Sequence, residues 1–210
     1  MSSWITSASR FVEQHGFSLF LVVLSLVAAA RVAELFVAKR LTLRASARGA
    51  VPEREPIFIV MVILHVLPFV LAPLEVLVWQ RPLIPVLFAV ATLSLLLLAG
   101  ARIWILRTLG HMWNVRIVKP AHIVSEGPYR YIRHPNYAVV IAELFFLPLV
   151  HTAWATCIVL TILNALVLSR RIPAEEKVLF ALPDYANTMG NKPRFIPRLA
   201  SLGSRTSRRR

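Results

Sequence analysis

Long apolar runs separated by short polar segments constrain this chain most strongly. The runs at 17–38, 57–79 and 83–106 are each long enough, at about 1.5 Å per residue, to cross a hydrocarbon core of about 30 Å. Hydrophobic residues make up 57% of the chain and charged residues 16%, a more apolar balance than soluble domains have. The sequence therefore predicts membrane-spanning helices. The first run is expected to remain as a helix, because it is too long for the apolar part of a signal peptide.

The last apolar run, of about 32 residues, is too long for a single crossing and contains Pro148 near its middle. This pattern predicts two antiparallel helices, at 137–150 and 152–169, joined by a tight turn. We therefore expect an all-α, polytopic integral membrane bundle of about five transmembrane helices, the last two forming a tight hairpin. It would form one domain over 1–200, followed by a basic disordered tail at 201–210.

The basic residues indicate how the chain is oriented. A formal net charge of +14 would suggest nucleic acid as a partner of a soluble protein. Here the basic residues cluster in polar segments beside the apolar runs, at 39–56, at 102–133 and from Arg170 onward. By the positive-inside rule these segments face the cytosol, with the amino terminus outside and the carboxyl terminus inside. We therefore predict membrane lipids as partners and no nucleic acid.

A few polar residues interrupt the runs. Arg31 and Glu34 stand three positions apart and so share a helix face, where a structural ion pair near the inner interface is the simplest interpretation. His65 is interpreted as a packed core or interface histidine. The single cysteine, Cys157, allows neither a disulfide framework nor a cysteine-based metal site, and no metal is predicted.

The segment at 127–137 concentrates chemistry at a predicted membrane boundary. Its tyrosines offer flat faces and hydroxyls of the kind that a purine or a sulfonium needs, and its histidine can form hydrogen bonds at neutral pH. Its arginines could hold a carboxylate or headgroup phosphates, and an interfacial belt of tyrosine and arginine is the alternative interpretation. The candidate residues are Gly127, Tyr129, Arg130, Tyr131, Arg133, His134, Pro135 and Tyr137.

A second polar segment follows the last run and carries Arg171, Glu175 and Glu176. The helical hairpin would return this segment to the same membrane face as 127–137. If the last helix continues, Asn164, Arg171 and Glu175 share one face. If Pro173 begins a new helix, the two acids occupy its first turn, where carboxylates are favoured. Surface placement of charge is the alternative to a site.

The two segments together form a specific pattern. It reads Gly-Pro-Tyr-x-x-x-Arg-His-Pro-x-Tyr, a helical hairpin, Arg-Ile-x-x-Glu-Glu, and a tyrosine leading to Pro-Arg-x-Ile-Pro. Over roughly residues 95–197 this order and spacing resembles the isoprenylcysteine carboxyl methyltransferase family of integral membrane methyltransferases. The matching residues are Gly127, Pro128, Tyr129, Arg133, His134, Pro135, Tyr137, Arg171, Ile172, Glu175, Glu176, Tyr185, Pro193, Arg194, Ile196 and Pro197.

The resemblance implies S-adenosyl-L-methionine as methyl donor, bound at the cytosolic face, and a lipophilic acceptor that enters sideways from the bilayer. It implies that Glu175 and Glu176 bind the donor's amine and ribose, and that Arg171 orients or polarises the acceptor. A hydroxyl acceptor would also need a base or a nearby cation; His134 or Glu175 could serve as the base and Arg171 as the cation. The remaining residues that the resemblance assigns to the cofactor pocket are Gly127, Tyr129, Arg133, His134, Pro135 and Tyr137.

The carboxyl-terminal part of the pattern bears on the acceptor. Tyr185 is followed by Thr188, where family members commonly carry a second tyrosine. The segment from Tyr185 to Pro197 resembles a bacterial branch that is often associated with type III polyketide synthases. This resemblance favours an alkylresorcinol or alkylpyrone hydroxyl as acceptor and a bacterial inner membrane as location. A prenylcysteine carboxyl group or a phospholipid amine would suit the same fold.

Two other classes stay open at the level of sequence. A membrane reductase of the steroid-reductase type also places polar motifs after apolar helices, but it would need NADPH, and the chain has no dinucleotide-binding fingerprint. A non-enzymatic scaffold or lipid-binding protein would not need His134 or Glu175 for turnover. The sequence does not define the acceptor or the oligomeric state.

Overall fold

The structure, a computed structural model, describes residues 2–47, 57–114, 116, 120 and 122–197. Within these residues every regular element is helical, which confirms the all-helical prediction. The tail predicted at 201–210 lies outside the described residues. The helices are α1 (Ser2–Ala47), α2 (Ile57–Val78), α3 (Pro85–Leu109), α4 (Pro135–Leu149), α5 (Trp154–Phe180) and α6 (Tyr185–Met189), with single 3₁₀ turns at Gly110–Met112 and Gly127–Arg130.

Four of the described helices, α1, α2, α3 and α5, are long and apolar enough to cross a membrane. Their outward side chains are large and apolar; Leu26 and Leu97, for example, are 67% and 68% exposed. Lipid can cover such a surface, whereas water would leave it unfavourably exposed. Helix α4 has 15 residues and is roughly 22 Å long, which is shorter than the hydrocarbon core. The five-span count and the orientation of the termini remain predictions.

The last helix does not stop at the predicted membrane boundary, residue 169. Helix α5 continues to Phe180 and contains Pro173. Proline has no backbone N–H, so it leaves the carbonyl one turn earlier without its usual partner, but the helix continues through it. Of the two geometries open from the sequence, the structure has the continuous one. Asn164, Arg171 and Glu175 consequently lie along one face and line the same cavity.

Tight contacts close the α4–α5 hairpin. The Ala153 N–H donates to the Pro148 carbonyl at 3.0 Å, and Thr152 adopts a left-handed backbone with φ 56°. The Thr152 hydroxyl donates to the Pro82 carbonyl at 2.6 Å, which ties this turn to the α2–α3 connection. Because the turn is short and buried, the two ends of the hairpin that carry the polar motifs meet at the opposite end of the bundle.

Glu75 on α2 caps the start of α5. Its carboxylate accepts the backbone N–H of Thr156 at 2.7 Å and that of Ala155 at 3.1 Å. It also pairs with Arg81, with 3.1 Å between Nη2 and Oε1. The first N–H groups of a helix have no partner within the helix, and a carboxylate there is favoured by the helix dipole. Glu75 therefore fixes α5 against α2.

Replacing Glu75 with alanine is expected to lower the free energy of unfolding by about 2 kcal/mol, because two buried helix-capping hydrogen bonds are lost. Thermal unfolding in detergent micelles measures the change. Ser94→Ala is the control. Among the described residues its hydroxyl bonds only to the Val90 carbonyl of its own helix, at 2.8 Å, and its loss is expected to cost less than about 0.5 kcal/mol. Equal losses for both variants would contradict the capping role.

Candidate functional site

The first motif folds into a 3₁₀ turn followed directly by a helix. Gly127–Arg130 forms the turn, and Pro135 occupies the first position of α4, where its missing N–H costs nothing. His134 precedes it with a non-helical backbone. The two prolines thus determine where the turn and the helix begin, and the histidine lies at the junction between them.

The carboxyl-terminal segment docks onto this junction. The backbone N–H of Arg133 donates to the Pro193 carbonyl at 2.9 Å, and that of His134 donates to the Arg194 carbonyl at 3.0 Å. Lys192 adds a hydrogen bond from Nζ to the Tyr129 carbonyl at 2.9 Å. Backbone hydrogen bonds therefore join the segment at 127–137 to the segment at 192–194, although the two are about sixty residues apart in sequence.

Glu176 forms the centre of a buried polar cluster. Its Oε1 lies 3.0 Å from Nε2 of His134 and 3.4 Å from Nη2 of Arg133. Its Oε2 accepts a 2.6 Å hydrogen bond from Nη2 of Arg194. One carboxylate thus links α5, the residues before α4, and the carboxyl-terminal segment. A carboxylate with these three partners is held in place by charge-assisted hydrogen bonds.

Glu175, the adjacent acid, belongs to a different set of contacts. It accepts a short hydrogen bond from the hydroxyl of Tyr137 on α4. The same hydroxyl accepts a hydrogen bond from Nε of Arg171 at 2.7 Å. Arg171 and Tyr137 are both buried. A tyrosine therefore connects a cation to a carboxylate across the α4–α5 pair, and the three side chains restrict one another's positions.

A cavity of about 390 Å³ adjoins these groups. Asn164 and Tyr185 contribute to its polar end. Three residues that the resemblance placed in the cofactor pocket, Gly127, Pro135 and Glu176, do not line this cavity. The sequence-predicted site residues that do line it are Tyr129, Arg133, His134, Tyr137, Arg171 and Glu175.

The polar end of the cavity has the chemistry that a sulfonium nucleoside requires. Tyr129, Tyr137 and Tyr185 supply aromatic faces, and Glu175 supplies a carboxylate. Burial, followed by the charge of Glu175, raises the pKa of Tyr185 to about 12, so its hydroxyl stays neutral at physiological pH. Aromatic faces attract cations, and a carboxylate accepts hydrogen bonds from hydroxyl or amino groups. The residues present therefore fit S-adenosyl-L-methionine.

Gly127 holds the 3₁₀ turn close to α3. Its φ is +52°, and a Cβ at this position would lie 2.4 Å from Thr108 Oγ1 and 3.2 Å from Trp104 Nε1. Both the backbone conformation and the close approach therefore exclude a side chain. Gly127 acts on the cavity through the position of Tyr129, two residues later.

Gly127→Ala is expected to weaken S-adenosylhomocysteine binding at least about tenfold, because the turn that carries Tyr129 must shift. Titration calorimetry of purified protein measures the dissociation constant. Gly100→Ala is the matched control, since a Cβ there meets nothing within 4 Å, and helix propensity predicts unchanged or slightly higher stability. Unchanged affinity in Gly127→Ala would show that the turn does not position the binding site.

Arg130 and Tyr131, whose roles the sequence left open, do not line the cavity. The Arg130 side chain is exposed, and Tyr131 is partly buried. Arg130 is the last residue of the 3₁₀ turn, and Tyr131 follows it. They remain candidates for contacts with lipid headgroups.

Sequence reasoning missed a set of charged groups around Arg31. The predicted Arg31–Glu34 pair is present, with 2.6 Å between Nη1 and Oε2. Arg31 Nη2 also lies 3.1 Å from Glu143 on α4, and Arg102 on α3 donates from Nε to Glu34 at 2.9 Å and from Nη1 to Asn136 at 3.0 Å. Two arginines and two glutamates thus connect three helices. The sequence signal that could have predicted this cluster is the presence of isolated charged residues within apolar runs, because such charges usually pair with one another.

Comparison with known proteins gives two findings. The family model of the isoprenylcysteine carboxyl methyltransferase family matches residues 88–181. This region covers α3, the first motif, the hairpin and the two glutamates. Helices α1 and α2 precede it, and the docked segment around Arg194 follows it.

A relative extends the similarity beyond that region. The uncharacterized protein YpbQ of Bacillus subtilis (strain 168) is 33% identical over 163 residues, which is 77% of this chain and 96% of the relative. The similarity thus extends over nearly the full length of the relative. Together with the order of the motifs on α4 and α5, these findings show that the chain belongs to the isoprenylcysteine carboxyl methyltransferase family, a family of membrane methyltransferases.

Proposed function

We propose that this protein transfers a methyl group from S-adenosyl-L-methionine to an oxygen of a lipophilic acceptor at the cytosolic membrane face. One observation carries the proposal. A single cavity is lined both by tyrosines and charged residues of the two motifs and by many apolar residues of α1 and α2. A polar donor and an apolar acceptor could therefore meet inside one space.

The polar end would hold the donor. We assign Tyr129, Tyr137 and Tyr185 to its aromatic contacts and Glu175 to its hydroxyl or amino groups. S-adenosyl-L-methionine supplies an activated methyl group on a sulfonium. Glu176, which the resemblance also assigned to the donor, is proposed instead to position His134, because its carboxylate is already engaged by three partners.

The apolar end would admit the acceptor from the bilayer. Val32 and Leu35 of α1 and Val62 and Val66 of α2 line the cavity, and each is between 38% and 54% exposed. Side chains that face both the cavity and the outside border an opening. A lipid tail could therefore stay in the hydrocarbon phase while its head enters.

Methyl transfer from a sulfonium is an in-line displacement, so the protein must mainly align the reactants and exclude water. Arg171 lines the cavity beside Tyr137 and Glu175. Its fixed positive charge would stabilise an oxygen anion on the acceptor. Tyr137 and Glu175 would hold the guanidinium in that position, so the three residues act as one unit.

The acceptor class that we prefer is an alkylresorcinol or alkylpyrone hydroxyl. Such molecules combine a small polar ring with a long apolar tail, which suits a cavity with one polar and one apolar end. Prenylcysteine carboxyl groups and phospholipid amines are the alternatives. The proposed location is a bacterial inner membrane, with Lys39, Arg40 and Arg44 at the end of α1 on the cytosolic side.

Binding and transfer measurements test the proposal. Purified protein should bind S-adenosylhomocysteine and not NADPH; the reverse would favour a membrane reductase. Membranes incubated with methyl-labelled S-adenosyl-L-methionine and a panel of lipid phenols, pyrones, prenylcysteines and phospholipids should give a labelled ether, identified by mass. A labelled ester or amine would replace the preferred acceptor, and no labelled product with any acceptor would contradict the proposal.

A further inference from the structure

His65 lies on α2, outside the region that the family model matches. It was interpreted from the sequence as a packed histidine, but its side chain lines the cavity. Its Nδ1 lies 2.7 Å from the Met61 carbonyl oxygen. A carbonyl only accepts hydrogen bonds, so this contact requires the proton on Nδ1. In the neutral ring Nε2 then carries a lone pair.

That lone pair has no partner within the described part of the chain, since the Met61 contact is the one hydrogen bond of the His65 ring there. The other two histidines that line the cavity are placed differently. His122 is exposed, and His134 Nε2 is engaged with Glu176 at 3.0 Å. His65 Nε2 is therefore an imidazole nitrogen that is available to a molecule in the cavity.

Three charged side chains, Arg31, Glu143 and Arg171, interact electrostatically with the His65 ring. Arg31 and Arg171 line the cavity with His65, and both would stabilise an anion that forms there. Burial and the two arginines keep the resting imidazole neutral, as a base must be, whereas Glu143, which pairs with Arg31 at 3.1 Å, would offset part of the cost of protonating it.

We propose that His65 is the general base that removes the proton from a hydroxyl acceptor; this inference rests on the proposed function. The O–H bond breaks, its electron pair stays on the acceptor oxygen, and the proton goes to His65 Nε2. The imidazolium later returns that proton to water. Such a base matters for a phenol, whose pKa of about 10 leaves it protonated at neutral pH, and is unnecessary for a carboxylate.

His65 would also contribute to acceptor specificity. It lines the cavity together with apolar residues of α1 and α2 and with Arg171. A ring hydroxyl could reach Nε2 while its tail remains toward the opening. The acceptor class is therefore a lipid with a weakly acidic ring hydroxyl, selected by a residue on α2.

The test compares His65→Ala and His65→Gln with wild type, and His111→Ala serves as a control because His111 is exposed and does not line the cavity. S-adenosylhomocysteine affinity and thermal stability should be unchanged in all variants. At pH 7, kcat for an alkylresorcinol should fall about 100-fold in both His65 variants. Their rates should rise about tenfold per pH unit toward pH 10, as the acceptor ionises by itself.

A second measurement uses acidified acceptors. Alkylresorcinols with fluorine on the ring ionise at lower pH, so both His65 variants should methylate them at close to the wild-type rate. Wild-type rate and pH profile in His65→Ala would overturn the proposal, and full recovery in His65→Gln would replace proton removal by simple hydrogen bonding. If wild type methylates only carboxylates or amines, the hydroxyl acceptor is replaced and the base proposal is overturned, whereas the methyltransferase assignment stands. If wild type methylates no acceptor, the proposed function itself is contradicted.

Discussion

Replacing Arg171 with methionine is expected to reduce kcat by about 10²–10³-fold. Removal of one preorganised charged donor from an active site typically has an effect of this size. Arg171 is 4% exposed, lines the cavity and donates to the Tyr137 hydroxyl at 2.7 Å. Methionine approximates its volume without the charge. Steady-state kinetics with a labelled methyl donor measures kcat and KM.

The conservative variant and the connecting tyrosine separate charge from geometry. Arg171→Lys keeps the positive charge but loses the planar guanidinium, so most of the loss should remain. Tyr137→Phe keeps Arg171 and Glu175 but removes the hydroxyl between them, and a smaller reduction is expected. Donor affinity should change little in Arg171→Lys. If Arg171→Met retained wild-type kcat, Arg171 would have no role in transfer.

Replacing Glu176 with glutamine is expected to lower the free energy of unfolding by about 3 kcal/mol. Glutamine has no charge for Arg133, His134 and Arg194, and removing one partner from a buried ion pair is strongly destabilising. The contribution of Arg194 is smaller, because its side chain is 48% exposed. Donor affinity should also fall about tenfold or more, since the segment at 192–194 loses the ion pair that joins Arg194 to α5. Thermal unfolding and calorimetry measure the two effects.

Glu175→Gln is the matched control, because the two acids are adjacent on α5 and differ in their contacts. Glu175 lines the cavity and interacts with Tyr137, so its replacement should weaken donor binding with little loss of stability. Arg194→Met should reproduce part of the Glu176→Gln effect on stability. Equal stability losses in Glu175→Gln and Glu176→Gln would contradict the separate roles.

Several features of the site were visible in the sequence because they depend on local order. Pro128 and Pro135 restrict the backbone wherever they stand, and the structure has a 3₁₀ turn and a helix start there. The proximity of the two motifs followed from the predicted hairpin. The sequence did not predict whether α5 continues through Pro173, because a proline can end a helix or be tolerated within it, depending on the surrounding packing.

The polar residues on α1 to α4 could not be placed together from the sequence, for a different reason. Arg31, His65, Arg102 and Glu143 come from four different helices, and their distances in sequence carry no information about distances in space. Only the Arg31–Glu34 pair, three positions apart, was recognisable. Packing of α1, α2, α3 and α4 was needed to place Arg31, His65 and Arg102 around one cavity and Glu143 beside Arg31.

The sequence by itself determined that the chain is helical and membrane-embedded, because the length and polarity of each apolar run are properties of contiguous residues. Its motif order also identified the family. Tertiary structure alone decided which of two adjacent glutamates faces the cavity. Successive residues on a helix point about 100° apart, so Glu175 faces Tyr137 and the cavity while Glu176 faces His134 and Arg194. That direction depends on how α5 is rotated against α4, which long-range packing determines.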